Sequence, residues 1–290
     1  MTPVEVISLI LKASILAIVF ALGLGARPKD LLALVRRPLL LAKSLLAMVV
    51  IMPLTSVLLV KTLGLPGSVA VMLIVLPLAP TPPILPRKQA KAEGDHDYAI
   101  GLLVTAGLAS IVWIPLALAL MQRMLGLPLD IAPTRVASVV AVTILAPLTA
   151  GIAVAFLAPP LAAKWSPIIS RVGGMLLALA ALVILVSQWR HMVGLLGVGA
   201  LSAFAIFVAV GLIAGHLLGG PDPSDRTVLA IATSSRHPGM ALAIAHANFP
   251  HAQALVAAVL LFLVVNAVVS IPYVAWRKRA GAADALGLGT

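Results

Sequence analysis

The sequence predicts an all-α integral membrane protein of nine transmembrane helices, two of them broken near mid-membrane. Three observations carry that expectation. Of 290 residues, 62% are hydrophobic and only 10% are charged, whereas a soluble domain carries about 25% charged residues. The apolar residues fall in nine runs, each long enough for a helix of about 20 residues across a bilayer. Two of those runs carry prolines or polar residues at their centre, where a continuous helix cannot form. Cysteine is absent, which excludes disulfides, thiolate metal sites and cysteine nucleophiles.

In chain order the spans are Pro3–Gly25, Leu39–Leu63, Gly67–Ala92, Tyr98–Leu125, Thr134–Ala158, Pro167–Gln188, Met192–Leu218, Thr227–Asn248 and Ala252–Trp276. They form one transmembrane unit over residues 1–279. The Gly-rich residues 280–290 read as a disordered tail. Span 1 is read as an uncleaved helix rather than a signal peptide, because the charge count places its basic end outside. Span 3 carries Pro77, Pro80, Pro82, Pro83 and Pro86. Span 8 carries Ser234, Ser235, Arg236, His237, Pro238 and Gly239 at its centre. Gly173-Gly174 in span 6 and Gly211 with Gly215 in span 7 read as close-packing positions.

The net charge is +11. In a soluble chain that would suggest nucleic acid. Here the basic residues divide thirteen to five between the two sides, with Lys43 and Arg236 assigned to neither. The richer side is cytoplasmic. The expectation is a multi-pass protein of a bacterial-type plasma membrane, N-terminus outside and C-terminus inside, with no nucleic-acid partner. The stretch from Arg27 to Pro38 reads as a short interfacial helix on the cytoplasmic face.

Spans 3 and 8 lie five apart, so the chain crosses in opposite directions and any repeat relating them is inverted. Paired broken helices in inverted halves point to a secondary transporter. Each break frees backbone N–H and C=O groups, and each half-helix end carries a partial charge. Two such breaks meeting at the midplane make a polar site reachable from either side in turn.

The residues that carry this layout also carry a resemblance. Leu22–Pro38 (LGLGARPKDLLALVRRP), Ile51-Met52-Pro53, Gly64–Pro80 (GLPGSVAVMLIVLPLAP) and Pro238–Pro250 (PGMALAIAHANFP) occur in this order and resemble the bile acid:sodium symporter superfamily. The resemblance implies two crossing broken helices. It also implies a core domain of spans 2–4 and 7–9, and a panel domain of spans 1, 5 and 6. Like the nine-span members, the chain lacks the first helix of ten-span ones.

Departures from the family pattern bear on ions. The Ser-Asn pair that would offer sodium ligands falls on Leu85 and Pro86. Two hydroxyl positions in the next helix fall on Ala99 and Leu103. A Glu and a later Gln-Asn pair on the second crossing helix fall on Ala232, Arg236 and His237. A glutamine of the preceding core helix falls on Met48. Independently of the family, all nine acidic residues lie in loops, at span ends or in the tails. A hard cation wanting oxygen ligands finds no intramembrane carboxylate. No metal or cofactor is expected.

What replaces those ligands is positive. Arg236 sits at mid-span, where a charge costs roughly 3 kcal/mol or more, and it reads as a fixed cation that attracts an anionic substrate. Its bland reading is a cap on carbonyls of the broken helix. Arg87 and Lys88 lie either just past the break in span 3 or at its cytoplasmic end. Thr81, Ser234 and Ser235 are polar candidates beside the breaks. The breakers are Pro80, Pro82, Pro83, Pro86, Pro238 and Gly239. His237 is either a proton-coupling group or a hydrogen-bonding core histidine. Glu93, Asp95, His96 and Asp97 read as a solvated turn. The partners expected are the bilayer, a small anionic substrate and, as one coupling option, protons. A sodium-coupled symporter using carbonyls with Thr105, Thr233 and Ser234 is the second reading, and a non-transporting sensor the third. An enzyme is disfavoured by the absence of G-x-S-x-G, H-E-x-x-H, cysteine or a buried base.

Overall fold

In the computed structural model the chain is all helical among the residues it describes, which are 3–26, 34, 36–82, 86, 92, 94–125, 132–249, 251–252 and 254–285. Apolar patterning and proline punctuation set the elements. They are α1 (Pro3–Gly25), α2 (Pro38–Thr62), α3 (Gly67–Val75), α4 (His96–Leu125), α5 (Thr134–Leu157), α6 (Pro159–Ser187), α7 (Trp189–Gly194), α8 (Val198–Leu218), α9 (Pro223–Ser234), α10 (Pro238–Asn248) and α11 (Leu255–Ala285). Seven of these, namely α1, α2, α4, α5, α6, α8 and α11, are long and apolar enough to cross a membrane. Of the other two expected spans, the third leaves helical geometry after Leu78 and the eighth does so at Ser235–His237.

Span 3 runs as α3 into one 3₁₀ turn, Leu76–Leu78, and Ala79 then turns extended. Its second half lies largely outside the described residues. Span 8 is two short helices joined by the extended residues Ser235 and His237 flanking Arg236. Asp222 caps α9, its carboxylate accepting from the Ser224 N–H at 2.8 Å, and Pro223 opens the first turn, where a missing N–H costs nothing. Pro238 opens α10 in the same way.

Three sequence boundaries need correction. Span 6 begins at Pro159 rather than Pro167: Pro159 occupies the first turn, and Pro167 is accommodated inside α6. The extra turns pack on α1, where Ser166 Oγ donates to Ala21 O at 2.9 Å. Span 7 does not start at Met192. That residue belongs to the separate helix α7, and α8 starts after the extended Gly197. The last helix does not end at Trp276, and residues 280–285 are not a disordered tail. Ala-rich sequence continues α11 to Ala285, as its high helix propensity favours. Residues 286–290, and most of the stretch from Arg27 to Pro38, lie outside the described residues.

Helix α1 packs on α5 and α6. Gly23 and Gly151 let the α1 and α5 backbones touch: a Cβ on Gly23 would stand 2.3 Å from Leu148 O. The larger apolar core joins α2, α3, α4, α8, α10 and α11, with Phe262 edge-on to both Phe204 and Phe207. Gly211 and Gly215 of α8 meet the backbone of α9 at Ser234 and Ala230. A Cβ at Gly215 would fall 2.4 Å from Ala230 Cα, so these glycines seat the broken helix against α8.

Candidate functional site

The two interrupted segments hydrogen-bond to each other. The His237 N–H donates to Pro80 O at 2.9 Å. Arg236 Nη2 donates to Met48 O at 3.2 Å, and its Nη1 lies 3.5 Å from Ala79 O. Arg236 is 2% exposed. Its guanidinium therefore joins three elements: α2, the break in span 3 and the break in span 8.

The Met48 carbonyl is free for a reason written in the sequence. Residues Leu46–Ile51 widen into a π-helical turn, and the Met52 N–H goes back to Ala47 O. The donor that Met48 O would then take is residue 53, a proline with no N–H. Arg236 fills that vacancy. On the other side, Ala79 and Pro80 follow the last turn of their half-helix, so their carbonyls have no intrahelical donor.

His237 is the N-cap of α10. Its Nδ1 accepts from the Met240 N–H at 3.2 Å, which fixes a neutral tautomer with the proton on Nε2. Ser234 and Ser235 meet a residue the sequence reading overlooked. Asn266 Nδ2 donates to Ser234 O at 2.8 Å, and Ser235 Oγ lies 3.4 Å from Asn266 Oδ1. Ser234 Oγ itself bonds back to Ile231 O. The signal for Asn266 was available: a lone amide amid the apolar run LFLVVNAVV is costly in a span unless it has a partner. Thr81 Oγ1, Thr233 Oγ1, Arg236 Nε and His237 Nε2 are buried without a partner among the described residues. Pro82 is buried beside Thr81 and Pro86 is also buried. Pro83, Leu85, Arg87 and Lys88 lie outside the described residues.

Three of the positions onto which the family pattern's sodium ligands fall pack together. Met48, Ala99 and Ala232 belong to one apolar cluster, and Leu103 is fully buried. Beside them runs a crevice walled by Leu41, Leu45 and Met48 of α2 and by Ala106, Ser110 and Trp113 of α4, with Ala79, Pro80 and Arg236 at its base. It has room for about one water molecule.

A second polar cluster sits at the end of the bundle where α2 and α9 begin. Arg37 makes a two-pronged ion pair with Asp225, one arm at 3.1 Å. Burial pushes the Asp225 carboxyl up from its usual range, more than the Arg37 hydrogen bond draws it down. That same hydrogen bond raises Arg37. Arg277 is buried, donating to Thr227 Oγ1 at 2.8 Å and to Pro223 O at 3.2 Å. Asp95, expected in a solvated turn, accepts from the Tyr98 N–H at 2.6 Å and so caps α4.

Long apolar helices, with two interrupted helices interlocked at a buried polar crossing, define the class as a multi-pass membrane protein with a site built from broken helices. Residues 13–195 match the Sodium Bile acid symporter family. That is more than half of the chain, and the protein belongs to this family. The Sodium-dependent organic anion transporter of Rattus norvegicus is 28% identical over 204 residues, covering 69% of this chain and 54% of the rat protein. The protein of the same name from Mus musculus is 27% identical over 204 residues, covering 69% and 53%. The chain spans about half the length of these curated relatives.

Proposed function

We propose that this protein is a secondary transporter of small organic anions in which a fixed arginine takes the place of bound sodium. The observation that carries the reading is Arg236, buried and bonded to the Met48 and Ala79 carbonyls. In broken-helix transporters, unwound carbonyls and half-helix C-termini are what a bound cation coordinates. Arg236 directly follows the C-terminus of α9 and reaches the break after α3. Each helix end carries about half a negative charge, so the two together balance one guanidinium. A sodium ion on the same carbonyls would then face an uncompensated positive neighbour. The apolar packing of Met48, Ala99 and Ala232 supports the same conclusion. Of the two readings the sequence left open for Arg236, its bonds to the Ala79 and Met48 carbonyls favour the carbonyl cap, and the fixed-cation role proposed here builds on that cap.

In this reading the nine spans form an inverted repeat that leaves span 5 unmatched. A core of spans 2–4 and 7–9 moves against a panel of spans 1, 5 and 6, giving alternating access. The N-terminus faces out and the C-terminus faces the cytoplasm of a bacterial-type plasma membrane. The protein is a transporter rather than an enzyme. It acts as a facilitator or exchanger, with proton coupling through His237 as the variant a pH gradient tests. That variant carries a cost, since protonating Nδ1 would remove the cap on α10.

The test is uptake of labelled organic anions into proteoliposomes, with and without sodium and a pH gradient. Uptake without sodium is expected, and it is lost in Arg236→Ala. Strict sodium dependence that survives Arg236→Ala would sink the fixed-cation reading. The curated relatives' description as sodium-dependent favours the second reading, a sodium symporter with relocated ligands. Under it, Thr233, Thr105, Ser234 and backbone carbonyls hold the ion, and added sodium alone raises the melting temperature.

A further inference from the structure

The crevice beside the crossing has an uneven polar lining. Two buried side-chain donors in its wall have no partner among the described residues: Arg236 Nε and Trp113 Nε1. Neither nitrogen has a lone pair to offer, since an indole and a guanidinium only donate. Ser110, on the same wall, spends its hydroxyl proton on Gly107 O at 2.6 Å. The rest of the lining is chiefly apolar, with Leu41, Leu45, Pro77 and Leu78 among it. An unpaired buried donor costs about 1–3 kcal/mol, and here the two residues that carry them line one crevice.

We propose that this crevice seats the acid group of the substrate, a planar carboxylate accepting from Arg236 Nε–H and Trp113 Nε1–H. This deepens the organic-anion reading above and rests on it. The chemistry selects the ligand class. Two donors call for acceptor oxygens, and the guanidinium favours an ionised acid over a neutral carbonyl. The apolar walls exclude water and strengthen both bonds. Space for about one water is room for one carboxylate oxygen, which can accept from both donors while the rest of the substrate stays outside the crevice. The division of labour on Arg236 follows. Its two terminal nitrogens hold the Ala79 and Met48 carbonyls, and Nε faces the ligand. Trp113 is then a specificity-determining residue of α4.

The test uses the full-length protein in detergent with ¹⁵N-indole-labelled tryptophan. The chain has four tryptophans, and Trp165→Phe, Trp189→Phe and Trp276→Phe, all at exposed positions, assign the Trp113 resonance even where Trp113→Phe does not fold. The probes are acetate, hexanoate and benzoate, with benzamide and benzenesulfonate as isosteres. At least one carboxylate is expected to move the Trp113 resonance downfield, and benzamide to leave it in place. Trp113→Phe keeps an aromatic ring, smaller than the indole, and deletes the donor. It should weaken carboxylate binding about tenfold, the size of one charge-assisted hydrogen bond, while Trp165→Phe binds as the parent does.

Three results would overturn the proposal: no carboxylate moves the resonance, benzamide moves it equally, or Trp113→Phe binds with unchanged affinity. Failure here is separable from failure of the transport reading. Arg236-dependent uptake with no Trp113 response removes this subsite and leaves transport standing. A Trp113 response without flux across sealed vesicles does the reverse.

Discussion

The two broken spans solve opposite halves of one problem. The break in span 3 is built from prolines, at Pro77, Pro80, Pro82 and Pro86 among the described residues, so it is poor in N–H groups and rich in free carbonyls. The break in span 8 runs Ser-Ser-Arg-His and supplies donors: the His237 N–H and the Arg236 guanidinium. Neither would be tolerated alone in hydrocarbon, where an unsatisfied backbone group costs several kcal/mol. Crossed, they satisfy each other. The crossing is thus a donor–acceptor pair between two halves of the chain, and one member of that pair carries a permanent charge.

The largest expected effect breaks the donor side. Arg236→Met orphans the Met48 and Ala79 carbonyls, each at about 1–3 kcal/mol, offset in part by relief of the buried charge. The melting temperature in detergent should fall by several degrees, with sodium-free anion uptake reduced at least tenfold. A variant that melts with the parent would show that the carbonyls have other donors.

Next comes the brace behind span 8. Asn266→Ala removes the donor to Ser234 O and should cost about 1–2 kcal/mol, measured by chemical denaturation in mixed micelles.

The acceptor side is probed by restoring a donor. Pro53→Ala returns an N–H within reach of Met48 O. Arg236→Met should therefore be less costly in the Pro53→Ala background, by about 1 kcal/mol in a double-mutant cycle. Strictly additive melting shifts would remove Pro53 from the account of the crossing.

Smallest is Ser235→Ala. Its bond to Asn266 is long, at 3.4 Å, and a loss below about 0.5 kcal/mol is expected. A larger loss would mean that Ser235, rather than Arg236, bears the donor side.

Against the crossing stands the cluster at the start of α2 and α9, where charge meets charge. Arg37 has Asp225 as a partner and its side chain is 46% exposed, so water and a carboxylate share its neutralisation. Among the described residues, Arg236 has only carbonyls as partners. Sequence reading ranked Arg236 first because depth alone makes a charge costly. It counted Arg277 as an orientation charge, whereas the structure buries that side chain against Thr227 and Pro223. Both residues are arginines near apolar runs, and only the packing of α11 on α9 separates their roles.

By itself the sequence determined the helical class and the location of both breaks, because hydropathy and proline act locally on each span. It also determined that no carboxylate lies at mid-membrane, since every Asp and Glu falls in a loop, at a span end or in a tail. Tertiary structure alone decided what the freed groups do. That Arg236 fills the vacancy at Met48, 188 positions away along the chain, and that Trp113, its N–H unpaired among the described residues, lines the same crevice both depend on how distant helices face one another. Periodicity says which side of a helix is apolar. It carries no information about which helix that side meets.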